Sequence, residues 1–181
     1  TYMYHFSPPI INRKIRFALV GCGRIAQNHF ASIKHHEALA ELVGICDIDS
    51  AALDAAVKTT SAKPYKTLSE MLAKCDADAF ILTTPSGLHP DQAIEIAKAG
   101  KHVITEKPMA TRWEDGKRMV RACDQARVRL FVVKQNRRNA TLQLLKKAIE
   151  QKRFGKIYMV NLNVFWTRPQ SYYDQGGWRG C

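Results

Sequence analysis

The run Ile15-Arg16-Phe17-Ala18-Leu19-Val20-Gly21-Cys22-Gly23-Arg24-Ile25-Ala26 decides the fold. Residues 16–20 read as a short buried strand, and they run without a break into a G-x-G-x-x-A pattern. An amphipathic stretch at 25–36 then reads as a helix. In a strand–loop–helix setting each small residue has a physical task. Gly21 permits the tight turn, Gly23 lets a pyrophosphate approach the backbone, and Ala26 allows the helix to pack closely on the sheet. The N–H groups at the helix start, around Arg24 and Ile25, are then free to meet phosphate oxygens. Glycines also mark ordinary turns, so the pattern gains its meaning from what surrounds it.

Working outward, strands are expected at 42–46, 79–83, 103–105 and 130–133. Helices are expected at 50–59, 69–74, 89–99 and 112–127, with Gly100 closing the third of these at the usual C-terminal position. Strand alternating with helix in this way predicts an α/β fold, a doubly wound parallel Rossmann sheet covered on both faces. After Lys134 the pattern changes. Residues 141–150 form an amphipathic helix with Leu142, Leu145 and Ile149 on one face, and 157–165 alternate as a long strand. Alternation implies one dry and one wet face, hence the start of an open, antiparallel-type sheet. The expected organisation is a flexible leader at 1–14, a dinucleotide-binding domain at 15–134, and at 135–181 the incomplete start of a substrate and oligomerisation domain. One strand cannot bury its apolar face alone, so the chain reads as a fragment.

At 181 residues and 46% hydrophobic content the chain can bury one full core but hardly two. No apolar run reaches the roughly 18 residues needed to span a bilayer, and the N-terminus lacks the layout of a secretory signal; a cytoplasmic protein without a membrane partner is expected. Five scattered cysteines without C-x-x-C spacing fit reduced thiols, and the six histidines contain no metal-binding pair, so no metal is expected. The net charge of +12 suits a polyanion. Its lysines and arginines are spread over several expected helices, not gathered on one recognition helix. Nucleic acid is therefore not expected as a partner, and an anionic small molecule is.

Three further clusters carry chemistry. Asp47 ends the second strand roughly twenty residues beyond the glycine loop, where an acid accepts hydrogen bonds from ribose hydroxyls. A carboxylate there repels a 2′-phosphate, and no arginine follows in Asp47-Ile48-Asp49-Ser50, which favours NAD over NADP; Asp47 also suits the capping of a turn. The loop Thr84-Pro85-Ser86-Gly87-Leu88-His89 follows a buried strand and should line the cofactor crevice, although its residues are turn formers and His89 could cap a helix. Glu106-Lys107-Pro108 follows the next strand beside the same crevice. A lysine there can hold or relay a proton, or it can be a solvated lysine in a turn; Pro108 could be cis.

Together the glycine loop, Thr84-Pro85 with His89, and Glu106-Lys107-Pro108 resemble the glucose–fructose oxidoreductase/inositol dehydrogenase (Gfo/Idh/MocA) family from about Ile15 to the C-terminus. Residues 105–116 (TEKPMATRWEDG), Val133-Lys134-Gln135-Asn136-Arg137, residues 163–170 (NVFWTRPQ), Tyr172-Tyr173-Asp174 and Trp178-Arg179-Gly180 resemble its bacterial branch of UDP-N-acetylglucosaminuronate 3-dehydrogenases, which feed acetamido-sugar acids into lipopolysaccharide O-antigen. The resemblance implies NAD as cofactor, a nucleotide-sugar substrate and a homo-oligomeric full-length protein. It implies that Lys107 is the active-site lysine and that Asp47 binds the adenosine ribose. Thr84, Pro85, His89 and Glu106 would line the cofactor cleft, Gln135 would approach the nicotinamide ribose, and Arg168 would face charged groups of the substrate. Family members continue well past the point where Cys181 stands, through an Asp-x-x-x-His motif whose histidine partners the lysine. The resemblance thus implies NAD binding by this chain and leaves turnover to a longer one. A dehydrogenase of the same family acting on another sugar or cyclitol, and a non-catalytic NAD-binding or regulatory module, are the competing readings.

Overall fold

The computed structural model describes residues 9–174. Most of the expected leader, the Trp178-Arg179-Gly180 motif and Cys181 lie outside the described residues. The chain divides between Val133 and Lys134 into two compact units.

The first unit is a six-stranded, all-parallel sheet. Its strands are β1 (Ile15–Val20), β2 (Ala40–Cys46), β3 (Lys63–Tyr65), β4 (Ala79–Leu82), β5 (His102–Thr105) and β6 (Leu130–Val132), in the spatial order β3-β2-β1-β4-β5-β6. The chain first winds outward from β1 to β3, then returns to the other side of β1 with β4. Strand order therefore reverses between β1 and β4, and a crevice opens there at the carboxyl ends of the strands. Helices α1 (Ala26–His35), α2 (Ser50–Thr60), α3 (Leu68–Lys74), α4 (His89–Lys98) and α5 (Trp113–Gln125) form the crossovers.

Side-chain alternation along the strands builds two cores. On one face Leu19, Ile45 and Ile81 pack with Ala26 and Phe30 of α1 and Leu53 and Ala56 of α2. On the other, Ala18, Val20, Phe80, Leu82 and Val103 pack with Met71 of α3, Ile96 of α4, and Met119 and Cys123 of α5. Because both faces are covered, the central strands read as continuous apolar runs. The expected doubly wound Rossmann sheet is the fold observed.

Two differences from the sequence reading have physical reasons. Strand β3 was not expected: it is three residues long and contains Pro64. It pairs only with β2, at the sheet edge, where a residue without an N–H is tolerated. Residues 157–165, expected as a long strand, form none. A strand exists only as part of a ladder, and alternation alone supplies no partner for its N–H and C=O groups.

The second unit contains a 3-10 turn at Gln135–Arg138, α6 (Ala140–Glu150) and the short α7 (Gln170–Asp174). Asn139 caps α6 by accepting the Thr141 N–H. No described helix is long and apolar enough to cross a membrane.

Candidate functional site

Every parallel strand of the first unit delivers its next residue to the same edge, and the backbone ladder continues one residue beyond the strands. Gly21 N–H donates to Cys46 O, Thr83 N–H to Val20 O, Glu106 N–H to Leu82 O and Val133 N–H to Thr105 O, at 2.7–3.0 Å. These bonds lock the glycine loop, the Thr83-Thr84-Pro85 loop and the Glu106-Lys107-Pro108 segment side by side.

Gly21 has φ +93°, and a Cβ there would lie 2.8 Å from Thr84 N and 2.9 Å from the Thr83 carbonyl carbon. The adjoining loop thus requires glycine at this point. The Thr83 hydroxyl reinforces the approach by donating to Gly21 O at 2.5 Å. Around Gly23 the situation is opposite: a Cβ would meet no atom within 4 Å. Gly23, Arg24 and Ile25 are exposed, and no side chain caps the start of α1 at Ile25. The helix start is therefore an open cradle of backbone amides with the positive end of the helix dipole behind it, the environment that a pyrophosphate fits.

Asp47 stands at the end of β2, half buried. Its Oδ2 accepts the Cys22 N–H at 2.6 Å and its Oδ1 accepts the Asp49 N–H at 2.9 Å. The carboxylate both caps its own turn and grips the glycine loop, with lone pairs left over for hydroxyl donors. Beside it Ile48 is 91% exposed, a bare apolar surface on the same edge that the sequence reading did not single out.

The Thr84 hydroxyl donates to Gln92 Oε1 at 2.6 Å, and Pro85 leads into the 3-10 turn Ser86–Leu88. His89 is 1% exposed. Its Nδ1 lies 3.0 Å from Pro108 O and its Nε2 2.9 Å from Thr84 O, so both ring nitrogens are occupied by backbone carbonyls. His89 joins two loops of the edge and can reach a ligand only through the backbone that it holds.

The peptide bond between Lys107 and Pro108 is cis. Glu106 is 8% exposed, while Lys107 is exposed and takes part in no salt bridge among the described residues. Glu106 Oε1 lies 2.8 Å from His29 Nε2, and its Oε2 accepts the Lys107 N–H at 3.3 Å. Burial pushes the Glu106 carboxyl up, but the His29 hydrogen bond and charge, with the N–H and charge of Lys107, outweigh it and leave the group below its ordinary range. Sequence reasoning missed His29. A signal was present, since Ala26, His29, Phe30 and Ile33 follow helical spacing and place a histidine in the buried stripe of α1.

Gly21, Gly23, Arg24, Ile25, Asp47, Thr84, Pro85, His89, Glu106 and Lys107 thus all fall on the loops and the helix start at one sheet edge. Gln135 and Arg168 belong to the second unit. Gln135 opens its 3-10 turn, and the Arg168 guanidinium lies 5.1 Å from the ring centres of both Trp166 and Tyr172.

A parallel sheet in this order, with an open amide cradle after β1 and an acid after β2, defines a dinucleotide-binding domain. The oxidoreductase family with the NAD-binding Rossmann fold (GFO_IDH_MocA) matches residues 15–134, and the chain belongs to that family. Among solved structures, the chain is similar to the WlbA dehydrogenase from Chromobacterium violaceum in complex with NADH and UDP-GlcNAcA. Identity is 68% and the TM-score 0.94, covering 97% of this chain and 51% of that one. It is equally similar to the WlbA dehydrogenase from Bordetella pertussis in complex with NADH and UDP-GlcNAcA, with 70% identity, a TM-score of 0.92, and coverage of 95% and 50%. An inositol 2-dehydrogenase from Rhizobium meliloti is 29% identical over 148 residues, covering 82% of this chain and 44% of the relative. The chain spans about half the length, or less, of these relatives.

Proposed function

We propose that the chain is the cofactor-binding part of an NAD-dependent dehydrogenase that oxidises the 3-hydroxyl of UDP-N-acetylglucosaminuronate. The observation that carries the substrate is the 68–70% identity, over nearly the whole chain, to two dehydrogenases crystallised with NADH and UDP-GlcNAcA. Its place in lipopolysaccharide O-antigen synthesis rests on the motif resemblance alone. A cytoplasmic location and a homo-oligomeric whole protein belong to the same proposal, the former supported by four buried free thiols.

Bound NAD supplies the nicotinamide carbon that accepts the hydride from the sugar. The chain's residues do the rest. The amides at Gly23, Arg24 and Ile25 hold the pyrophosphate, and Asp47 accepts the adenosine ribose hydroxyls while opposing a 2′-phosphate, with Ile48 as an apolar seat beside it. Thr84, Pro85 and Glu106 line the crevice, and His89 fixes the two loops. Lys107 carries the catalytic role: its exposed side chain, as the neutral amine, contacts the hydroxyl being oxidised, takes the proton that leaves it and becomes the ammonium. For Gln135 and Arg168, in the second unit, the roles at the nicotinamide ribose and at the substrate's charged groups rest on the motif resemblance alone.

The test is NADH absorbance with UDP-N-acetylglucosaminuronate against a panel of sugars and cyclitols, using the full-length gene product. A signal from the nucleotide sugar is expected. A signal only from inositols or simple sugars would replace the substrate and keep the class. Lys107→Ala should lower kcat by about a hundred-fold or more with little change in NAD affinity. Equal losses of both would remove its catalytic role.

A further inference from the structure

Two histidines from different elements end on the same three residues. His29, on α1, reaches Glu106 at 2.8 Å, and His89, at the start of α4, reaches the Pro108 carbonyl at 3.0 Å. Lys107 lies between them with its side chain exposed. His89 acts on the backbone directly. His29 acts through a carboxylate whose second oxygen receives the Lys107 N–H.

We propose that His29 is a positioning residue for Lys107, working through Glu106: the imidazole takes Oε1, and Oε2 is thereby aimed at the Lys107 amide. This rests on the reading of Lys107 as the reactive lysine. A carboxylate at 8% exposure needs strong donors or it takes up a proton. Among the described residues its donors are the His29 ring and the 3.3 Å backbone N–H, and the latter is too long to hold it alone. A titratable ring from α1 (His29) and a cationic side chain from its own segment (Lys107) face Glu106. With His29 in place the carboxylate stays ionised and accepts from Lys107. Without it the carboxyl takes up its proton at higher pH, Oε1 loses the partner that aims the group, and Oε2 is a weaker acceptor that is free to turn away from the Lys107 N–H. The link also joins the glycine-loop helix to the lysine segment across the point where strand order reverses. Pyrophosphate seat and lysine are then held in one frame, and positioning of this kind supplies much of a dehydrogenase's rate.

The experiment uses the 181-residue chain without cofactor. Carbon-detected NMR follows the Glu106 δ-carbon, and amide spectra follow Lys107, through a pH titration of wild type, His29→Phe and His29→Gln. In wild type the Glu106 carboxyl should titrate below the ordinary glutamate range, and the Lys107 amide should move with the same midpoint. In His29→Phe both midpoints should rise together by about one pH unit or more. His29→Gln, whose amide still donates, should fall between. A Glu106 midpoint unchanged in His29→Phe, or a Lys107 amide that ignores it, overturns the proposal. Should His29→Phe fail to fold, His29→Gln decides by the same criterion. Turnover is not read, so a failed Lys107→Ala experiment would remove the catalytic reading while the titration still reports on the link.

Discussion

Gly21 and Gly23 are two residues apart and make opposite demands on a side chain. At Gly21 the neighbour is protein backbone at 2.8 Å and φ is positive, so Gly21→Ala strains the fold itself. It should cost roughly 2 kcal/mol or more in urea unfolding. At Gly23 nothing of the protein is near. Gly23→Ala should leave stability within about 0.5 kcal/mol of wild type and weaken NAD binding about ten-fold or more in calorimetry. If Gly23→Ala binds NAD as wild type does, the pyrophosphate does not sit at this cradle. The thiols follow from burial in the same direct way. Cys22 is pushed up to about 12 and Cys46 to about 11, by burial first and by the Asp47 charge second. Burial likewise pushes Cys123 to about 11 and raises Cys75. Since the thiolate is the nucleophile, all four should escape iodoacetamide at pH 8 in the native chain and react once it is unfolded, read by peptide mapping. Alkylation of native Cys22 would contradict the closed packing beneath the glycine loop.

Among elements, the joint between β1 and β4 is secured at its amino end by Asp78. Its carboxylate takes both Arg13 nitrogens at 2.7 Å and the Arg16 N–H at 2.8 Å. The Arg13 hydrogen bonds lower the carboxyl first, burial opposes them, and the Arg16 N–H and both cationic charges add, leaving it at about 2. A folded-state value depressed below the unfolded one, about 3.9, stabilises above pH 4 and is lost as pH falls through about 2. Asp78→Asn should therefore cost about 1–2 kcal/mol at pH 7, and the gap to wild type should close between pH 4 and 2. A gap independent of pH would assign the effect to packing. The same elements show what the sequence made legible. Central strands such as 79–82 announce themselves because burial on both faces removes every polar residue, and the glycine loop because its backbone geometry admits few side chains. Strand β3 stayed hidden because its pairing with β2 compensates a proline that local propensity rejects. His29 stayed hidden because its meaning depends on Glu106, 77 positions away, and no local pattern encodes that meeting. His89 was legible as an edge residue, but its burial between two carbonyls was not.

At the scale of the whole molecule, the first unit closes its cores on both faces of the sheet, and the described residues of the second do not close one. Helix α6 has no buried residue, and its Leu142, Leu145 and Ile149 stay half exposed. In the segment 157–165, Tyr158, Val160, Leu162 and Val164 alternate with their neighbours and are exposed, Leu162 at 82%. Among the described residues this apolar segment pairs with no strand, and an exposed apolar segment in that condition is a template for a second strand. Another copy of the chain offers the same surface in solution. The 181-residue chain should therefore self-associate as its concentration rises, seen as increasing weight-average mass in sedimentation equilibrium. Val160→Lys with Leu162→Lys puts two charges on that face and should return the chain to a monomer. Its NAD affinity should be unchanged, because the glycine loop, Asp47 and Lys107 all belong to the first unit. A wild-type chain that stays monomeric at high concentration would show that this apolar face is covered within the chain, and a double variant that also lost NAD would show that the segment reaches the cofactor edge.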